Sequence, residues 1–280
     1  MFGFLKRKKV DPRAKLIESI GTYDLPSFPA VVMRALRVIR SPDGTVAEVG
    51  DIIASDPNLS VRVLKLANSA GSPVGRRIGN VRHAVSMAGL ANVESMVLGV
   101  GVQAALPTAP TRGFEASRFW RASARRAATA RAFAQRLHPA RAMESFTAAL
   151  LQDMAVPLLA HKRGDSYDAL LQAWHGGEDD LHDLEQQEFG WHHGDVATWV
   201  CNEWELSEGL AAMIGAHHGG EDDCPAGVAL VGYLRETDEA PGLEELVEAA
   251  REKYGVPSDE SVAAVNEGFA EGDELARMFA

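Results

Sequence analysis

Helix start and stop signals follow one another along this chain at short intervals. Thr45 and Glu48 have the spacing of a capping box, and Asp56 followed by Pro57 reads as an N-cap with a proline in the first helical turn. Between such signals, apolar residues recur at spacings of three and four, the period of a helix buried on one side. No apolar and polar residues alternate between hairpin turns, as they would in a half-buried strand. The sequence therefore predicts an all-α protein.

The length and composition set the scale of this helical fold. The chain has 280 residues, 46% of them hydrophobic, which is enough for one large core or two packed lobes. Two prolines and a glycine interrupt the apolar pattern in segment 106–113. We therefore expect a basic tail at 1–14, an N-terminal lobe of about five helices at 15–106, a helical bundle at 107–220, and C-terminal helices at 221–280 packed on that bundle.

Charge is distributed unevenly between the two halves of the chain. Residues 1–140 carry 21 Lys and Arg against 9 Asp and Glu, and residues 141–280 carry 7 against 30, so the halves have net charges of +12 and −23 and the chain has −11. A basic half could bind nucleic acid or anionic lipid, or attract the acidic half of the same molecule. Because the total is acidic and no helix-turn-helix pattern accompanies the basic residues, we expect internal attraction and no nucleic acid partner.

Membrane and disulfide-bonded classes do not fit the sequence. Its longest apolar runs fall far short of the ~20 residues that span a bilayer, and no secretory segment follows Met1. Cys201 and Cys224 lack CxxC or metal-ligand spacing, so we expect free thiols in a cytoplasmic protein. The tail MFGFLKRKK could touch an anionic membrane transiently, but it is too short for stable binding.

One carboxylate lies inside an apolar stretch. Residues 146–162 read FTAALLQDMAVPLLAHK, a helix-like run with Gln152 and Asp153 in its middle. An ionised carboxylate removed from water pairs with a cation, binds a metal or takes up a proton. The candidate partners on other predicted helices are Arg126, His192, His193, His217 and His218. By spacing alone, such histidines at helix ends are more often structural than ligands.

Several blocks of sequence occur in the order of a known signalling module. LPSFPAVVMRALRVI begins at residue 25, DPNLSVRVLKLANSA at 56 and VRHAVSMAGLANVESMVLG at 81. The pattern continues at Phe119–Trp120, at AALLQD (148–153), at Glu188–Phe189–Gly190 with His193 and Ala197, at Trp204 and at His217–His218. Over roughly residues 15–220 the chain thus resembles the HDOD domain, a bacterial signalling module related to the HD phosphohydrolases. The resemblance implies an HD-like helical bundle for the second lobe.

The resemblance also places Asp153 in the His-Asp doublet that names the HD fold. In catalytic relatives, the doublet and histidines from other helices bind a divalent metal, and a metal-polarised water attacks a phosphoester. Here Gln152 replaces the histidine of the doublet, Ala122 stands where many relatives have another histidine, and Asp238 falls too late for the last ligand. The resemblance therefore implies a dismantled site, without metal, cofactor or catalysis, formed by Ala122, Arg126, Gln152, Asp153, His193, His217 and His218.

The arginines near these residues fall into two groups. Arg118, Arg121 and Arg125 share one helical face, which we expect to be solvated. Arg126 follows Ala122 by one turn on an apolar stripe. It either supplies Asp153 with the countercharge that a metal would have supplied, or extends outward along the bundle.

Three functions remain open at this point. The first is a non-catalytic regulatory protein of bacterial signal transduction that binds a protein partner or a small ligand. The second is a degenerate metal-dependent phosphohydrolase using Asp153, His193 and His217, and the third is a nucleic-acid-binding regulator acting through the basic half. We favour the first, because a metal site that has lost two or three ligands is severely weakened.

Other apolar and amide positions are predicted to act in packing. Asn68 and Ser69, in LANSA, lie where a helix ends, so the Asn68 amide can satisfy backbone carbonyls or the following loop. The C-terminal helices need a surface to cover their apolar residues, which are Leu243, Leu246, Val247, Ala250, Val262, Val265 and Phe269.

Overall fold

The computed structural model describes residues 25–68, 78–107, 111–177, 179–218, 224–235, 242–277 and 279. Within these ranges the chain is helical and contains no β-strand, and an isolated antiparallel bridge joins Thr111 to Phe114 across a tight turn. The all-α prediction is therefore confirmed for the described part of the chain. The basic tail, Ser69 and Asp238 lie outside the described residues.

Five helices form the N-terminal lobe within the described residues, as predicted. They are α1 (Ala30–Arg40), α2 (Val46–Ala54), α3 (Pro57–Ala67), α4 (Val81–Ala88) and α5 (Leu90–Ala105). The predicted capping box forms at the start of α2, where Thr45 and Glu48 bond each other's backbone N–H groups. Asn80 caps α4, and Gly89 ends it with a positive φ of 79°, which glycine adopts without steric cost. Local sequence thus determines where these helices begin and end.

The second lobe is built around one long helix. It contains α6 (Ala116–Leu137), a 3₁₀ turn (Pro139–Arg141), α7 (Ala142–Leu151), α8 (Val156–Arg163), α9 (Asp165–Gly176), α10 (Leu181–Phe189), α11 (His193–Glu203) and α12 (Glu208–Gly215). Alanines along α6 let its neighbours approach closely, and residues on nearly every side of this helix are buried. Consequently α6 lies at the centre of the core.

The apolar run 146–162 is not one helix, contrary to the sequence-based expectation. α7 ends at Leu151, residues 152–155 form a turn, and α8 begins at Val156. Pro157 explains the break: it has no N–H to donate to the carbonyl of Asp153, and its ring would clash there. That carbonyl instead accepts from the Val156 N–H at 2.8 Å. Asp153 therefore lies in a buried turn rather than on a continuous helix.

Three C-terminal helices pack on the second lobe. They are α13 (Ala226–Val231), α14 (Leu243–Tyr254) and α15 (Ser258–Ala276), and α15 lies along α6. Gly268 and Gly272 make this contact possible, because a Cβ on Gly268 would lie 2.6 Å, and one on Gly272 2.4 Å, from the nearest backbone atom of α6. Most of the predicted apolar residues face inward, but Val262 is 38% exposed, so its assignment to the covered face was wrong.

Charged residues flank the contact between α6 and α15. Arg121 and Arg125 both donate to Asp273, at 2.9 and 2.7 Å. Arg131 pairs with Glu271 in the same interface. The prediction of a solvated arginine face on α6 was therefore wrong for Arg125, which the acidic helix α15 covers, whereas the side chain of Arg121 is 43% exposed at the edge of this contact. This interface shows where basic and acidic halves attract each other.

The two lobes are joined by aromatic and polar contacts. The Phe28 ring lies 4.9 Å from that of Trp204, whose Nε1 donates to the Pro26 carbonyl at 3.0 Å. A second contact between the lobes is a buried hydrogen bond of 2.6 Å between Ser95 of α5 and Thr147 of α7.

Among the described residues, no single helix is both long and apolar enough to cross a membrane; the bent pair α4 and α5 meets that test by length and composition only.

Candidate functional site

Asp153 is contacted by nitrogen atoms from three elements of the bundle. Its turn lies between α7 and α8, and only 6% of the residue is exposed. Arg126, on α6, donates from Nη1 to one carboxylate oxygen, Oδ2. The other oxygen, Oδ1, faces the Nε2 atoms of His193 and His217, each 3.3 Å away. The buried carboxylate is thus in contact with one guanidinium and two imidazole groups.

The three inward-facing histidines come from two neighbouring segments. His193 is the first residue of α11, and His217 and His218 lie in the turn that follows α12. The Nε2 atom of His193 lies 3.2 Å from that of His217 and 2.8 Å from that of His218. His217 donates from Nδ1 to the Ile214 carbonyl at 2.6 Å, which fixes its ring and directs Nε2 toward Asp153.

Glu185 is a site residue that the sequence reasoning missed. This fully buried carboxylate of α10 accepts from both the backbone N–H and Nδ1 of His193, each at 2.7 Å, and also from the Tyr167 hydroxyl. The sequence pattern was instead assigned to Glu188, which is exposed. The usable signal was helical spacing, because Glu185 lies one turn before Glu188 and shares a face with the buried Leu181.

The charges in this centre are set by their neighbours. Burial alone would raise the pKa of Asp153, but the Arg126 guanidinium and a hydrogen bond from His193 hold it well below its usual value. Burial works against a charged His193, yet Glu185 and Asp153 raise its pKa to about 10. Burial lowers the pKa values of His217 and His218. His193 is therefore the charged imidazole, and its Nε2–H faces Asp153 and two neutral histidines.

Arg126 is buried and fully engaged. Its side chain is only 4% exposed. Besides Asp153, it contacts the backbone carbonyl of Leu234, to which Nε and Nη2 donate at 3.0 and 2.7 Å. Of the two orientations left open by the sequence, the structure shows the inward one.

The remaining predicted residues lie at the margin of this cluster. Gln152 is buried, but its Oε1 has no hydrogen-bond partner among the described residues. Ala122 is half-buried one turn before Arg126 and offers no ligand atom. His192 caps α11 by accepting from the Gly194 N–H at 3.1 Å, so its role is structural. Neither position 152 nor position 122 supplies the imidazole found in catalytic relatives.

Comparison with known proteins shows the family of this chain. The profile of the HDOD domain matches residues 25–219. The chain belongs to the HDOD family. An HDOD domain protein of unknown function from Geobacter sulfurreducens has a TM-score of 0.72 and 23% identity, covering 95% of this chain and 99% of that one. A Shewanella amazonensis protein, named provisionally as a phosphohydrolase, has a TM-score of 0.75 and 22% identity, covering 95% and 98%. At these identities the likeness shows the fold alone.

The chain matches only part of the length of a relative by sequence. An uncharacterized protein of Treponema pallidum (strain Nichols) is 23% identical over 206 residues, which is 70% of this chain. The match spans only 38% of the length of that relative. The similarity therefore concerns a part of the Treponema protein and assigns no activity to the whole.

The donor atoms of the centre have the spacing that a divalent metal needs, but not the charge. The ligand atoms of Asp153, His193, His217 and His218 all lie within 4.8 Å of one another. Ligands bound at about 2.1 Å to one ion are separated by about 3 to 3.4 Å, so the spacing fits a single cation of the kind that HD relatives bind here. The charge does not fit, because the guanidinium of Arg126 already shares the Asp153 carboxylate. The centre as it stands is therefore a poor site for a catalytic metal.

Proposed function

We propose that this HDOD protein is a non-catalytic regulator of signal transduction that acts by binding a protein partner or a small ligand. The observation that carries the proposal is the ion pair between Arg126 and Asp153. A hydrolytic metal centre keeps an open coordination position for water and substrate. Here a cation of the protein itself binds the central carboxylate, and Gln152 and Ala122 supply no further imidazole. This arrangement stabilises the fold and leaves little for catalysis.

A cleft between the two lobes supports the binding role. It has a volume of about 710 Å³, within the range of small-ligand sites. Leu98, Met143 and Met213 contribute apolar surface, and ion pairs of Arg40 with Glu94 and Arg141 with Glu144 line it. Because both lobes contribute walls, an occupant of this cleft would contact both at once.

A metal-dependent phosphohydrolase is the alternative, favoured by the convergence of Asp153, His193, His217 and His218. A metal bound there would polarise a phosphoryl oxygen and lower the pKa of a bound water. In that case Glu185 would orient His193 as carboxylates commonly orient metal-binding histidines.

Elemental analysis combined with hydrolysis assays separates the two functions. The purified protein and Asp153→Ala should be assayed with bis(p-nitrophenyl) phosphate and a cyclic dinucleotide, with and without manganese. We expect sub-stoichiometric metal and no manganese-dependent turnover in either protein. Stoichiometric metal and turnover in the parent, both lost in Asp153→Ala, would establish the phosphohydrolase instead.

A further inference from the structure

Arg126 lies at a place where an unpaired cation would be excluded. It occupies the inward stripe of α6, between the buried Ser123 and Ala130, and its side chain is only 4% exposed. An arginine guanidinium is not deprotonated in proteins, so the charge at this position is permanent. The residue is tolerated because Asp153 and the Leu234 carbonyl accept its hydrogen bonds. With these partners, the Arg126 guanidinium is a structural component of the centre around Asp153.

The guanidinium and the four-donor cluster share one carboxylate. Oδ2 of Asp153 accepts from Arg126, whereas Oδ1 lies 3.3 Å from the Nε2 atoms of His193 and His217. A divalent ion on the Oδ1 side would therefore be placed next to a fixed positive charge. In a buried site this repulsion is weakly screened.

The second partner of Arg126 prevents it from moving aside. Two of its nitrogens bind the Leu234 carbonyl, three residues after the end of α13. The chain directly after α13 is packed tightly on the centre, since a Cβ on Gly232 would lie 2.9 Å from the His217 carbonyl oxygen. The guanidinium is thus held between the Asp153 turn and the C-terminal helices.

We infer that Arg126 is a built-in substitute for the metal, whose guanidinium keeps divalent cations out of a donor set that would otherwise bind one. This inference rests on the proposed non-catalytic function and adds a cause for it. Without the guanidinium, Asp153, His193, His217 and His218 would form a divalent cation site, and an ion binding there would displace the Nε2 proton of His193 to solvent. A pocket of about 80 Å³ that includes His217 and His218 would give an ion access to it.

Arg126→Met tests the inference, because methionine keeps an apolar stem and removes the charge. Manganese and zinc binding should be measured by calorimetry and by elemental analysis after dialysis. We expect Arg126→Met to bind one ion per chain about tenfold or more tightly than the parent, and Arg126→Met with Asp153→Asn to lose that gain. Arg125→Met is the matched control: this neighbouring arginine is also buried and ion-paired, but with Asp273. It should bind metal no better than the parent.

A second variant covers the case in which Arg126→Met does not fold. Arg126→Ala, purified with n-propylguanidinium, leaves a cavity that this small cation can fill. Removing it should open the metal site, and adding it back should weaken manganese binding in proportion to its concentration. A guanidinium-insensitive affinity, or no metal binding by a folded variant, would refute the role of Arg126.

The outcomes also separate this inference from the proposed function. Metal-dependent hydrolysis by the parent would overturn both. A metal-free, inactive parent whose folded Arg126 variants also bind no metal would leave the non-catalytic function standing and overturn only the assignment of Arg126.

Discussion

At the scale of single residues, the fold depends on a few buried polar groups whose partners are far away in sequence. Asp153 is held by Arg126, 27 residues earlier, and contacts His193 and His217 from other elements. Glu185 in turn binds His193 and Tyr167. Each of these buried groups forms a hydrogen bond or an ion pair with a neighbouring group, and buried charges are tolerated under that condition.

Asp153→Ala is predicted to destabilise the protein strongly. It would leave Arg126 buried without its carboxylate, a change that costs about 3–5 kcal/mol. Asp153→Asn should cost less, about 1–3 kcal/mol, because the amide keeps the shape and one acceptor oxygen. Urea unfolding of both variants measures the difference, and equal stabilities would contradict the ion-pair account.

Asn68→Ala is predicted to lower the unfolding midpoint although the residue is exposed. The Asn68 amide donates to the carbonyls of Leu64 and Ile78, at 2.7 and 2.8 Å, and accepts from the Ile78 N–H at 2.7 Å. It therefore joins the end of α3 to the chain before α4. We expect a loss of about 1–3 kcal/mol by thermal unfolding. An unchanged midpoint with lost partner binding would show a functional role instead.

At the scale of secondary-structure elements, the contact between α6 and α15 is set by glycine and by charge. Gly268 and Gly272 bring the helix backbones together, and Arg125 places its guanidinium 4.7 Å from the centroid of the Phe269 ring. Arg121, Arg125 and Arg131 then pair with acids of α15. These ion pairs match the acidic helix α15 to the basic helix α6.

Gly268→Ala should destabilise the protein even though alanine is the better helix former. Its helix propensity favours alanine by about 1 kcal/mol, but the new methyl group would lie 2.6 Å from the Thr129 Cα. Gly209→Ala on α12 is the control, because nothing lies within 4 Å of a Cβ there. Gly268→Ala should lower the thermal unfolding midpoint, and Gly209→Ala should leave the midpoint equal to or slightly above that of the parent.

The ion pairs of Asp273 should make the α6–α15 contact sensitive to acid. Hydrogen bonds from Arg121 and from Arg125 hold the pKa of Asp273 below its usual value of about 3.9. A lowered pKa means that the stabilisation is present above about pH 4 and is lost as the pH falls further. Between pH 7 and about pH 3, the parent should therefore lose more stability than Asp273→Asn. Added salt should reduce this difference because Asp273 is partly exposed, and parallel pH curves would refute the effect.

At the scale of the whole molecule, the end of the described chain connects both lobes. The Phe279 ring stacks on Trp120 of α6 at 4.9 Å, and its backbone carbonyl accepts from Gln103 of α5 at 2.6 Å. Lys65 of α3 also donates to the Arg277 carbonyl at 3.2 Å. These contacts extend the C-terminal helices from the second lobe to the first.

Phe279→Ala is predicted to weaken the connection between the lobes. Removing a buried phenylalanine ring costs about 3 kcal/mol, and Trp120 would lose its stacked neighbour. Unfolding followed by tryptophan fluorescence should show a lower midpoint for Phe279→Ala than for the parent. The midpoint of Phe279→Leu should lie between those two values. Identical midpoints for all three proteins would mean that the lobes are held together elsewhere.

The helical class and many of the helix ends follow from the sequence alone. The capping box of Thr45, the cap at Asn80 and the positive-φ stop at Gly89 act within a few residues, so they can be read locally. Asp153 was identifiable for the same kind of reason, because a carboxylate in an apolar run requires a partner. The break before Pro157 was also readable but was overlooked, since the apolar pattern continued through it.

The partners of these residues depend on how the helices pack in three dimensions. Arg126 could face inward or outward on the same helix, and the choice depended on Leu234 and Asp153 meeting its guanidinium. Arg125 is buried rather than solvated because α15, about 150 residues later, covers it with an acid. Such pairings depend on how distant helices pack, and electrostatic attraction acts between positions in space whatever their order in the chain.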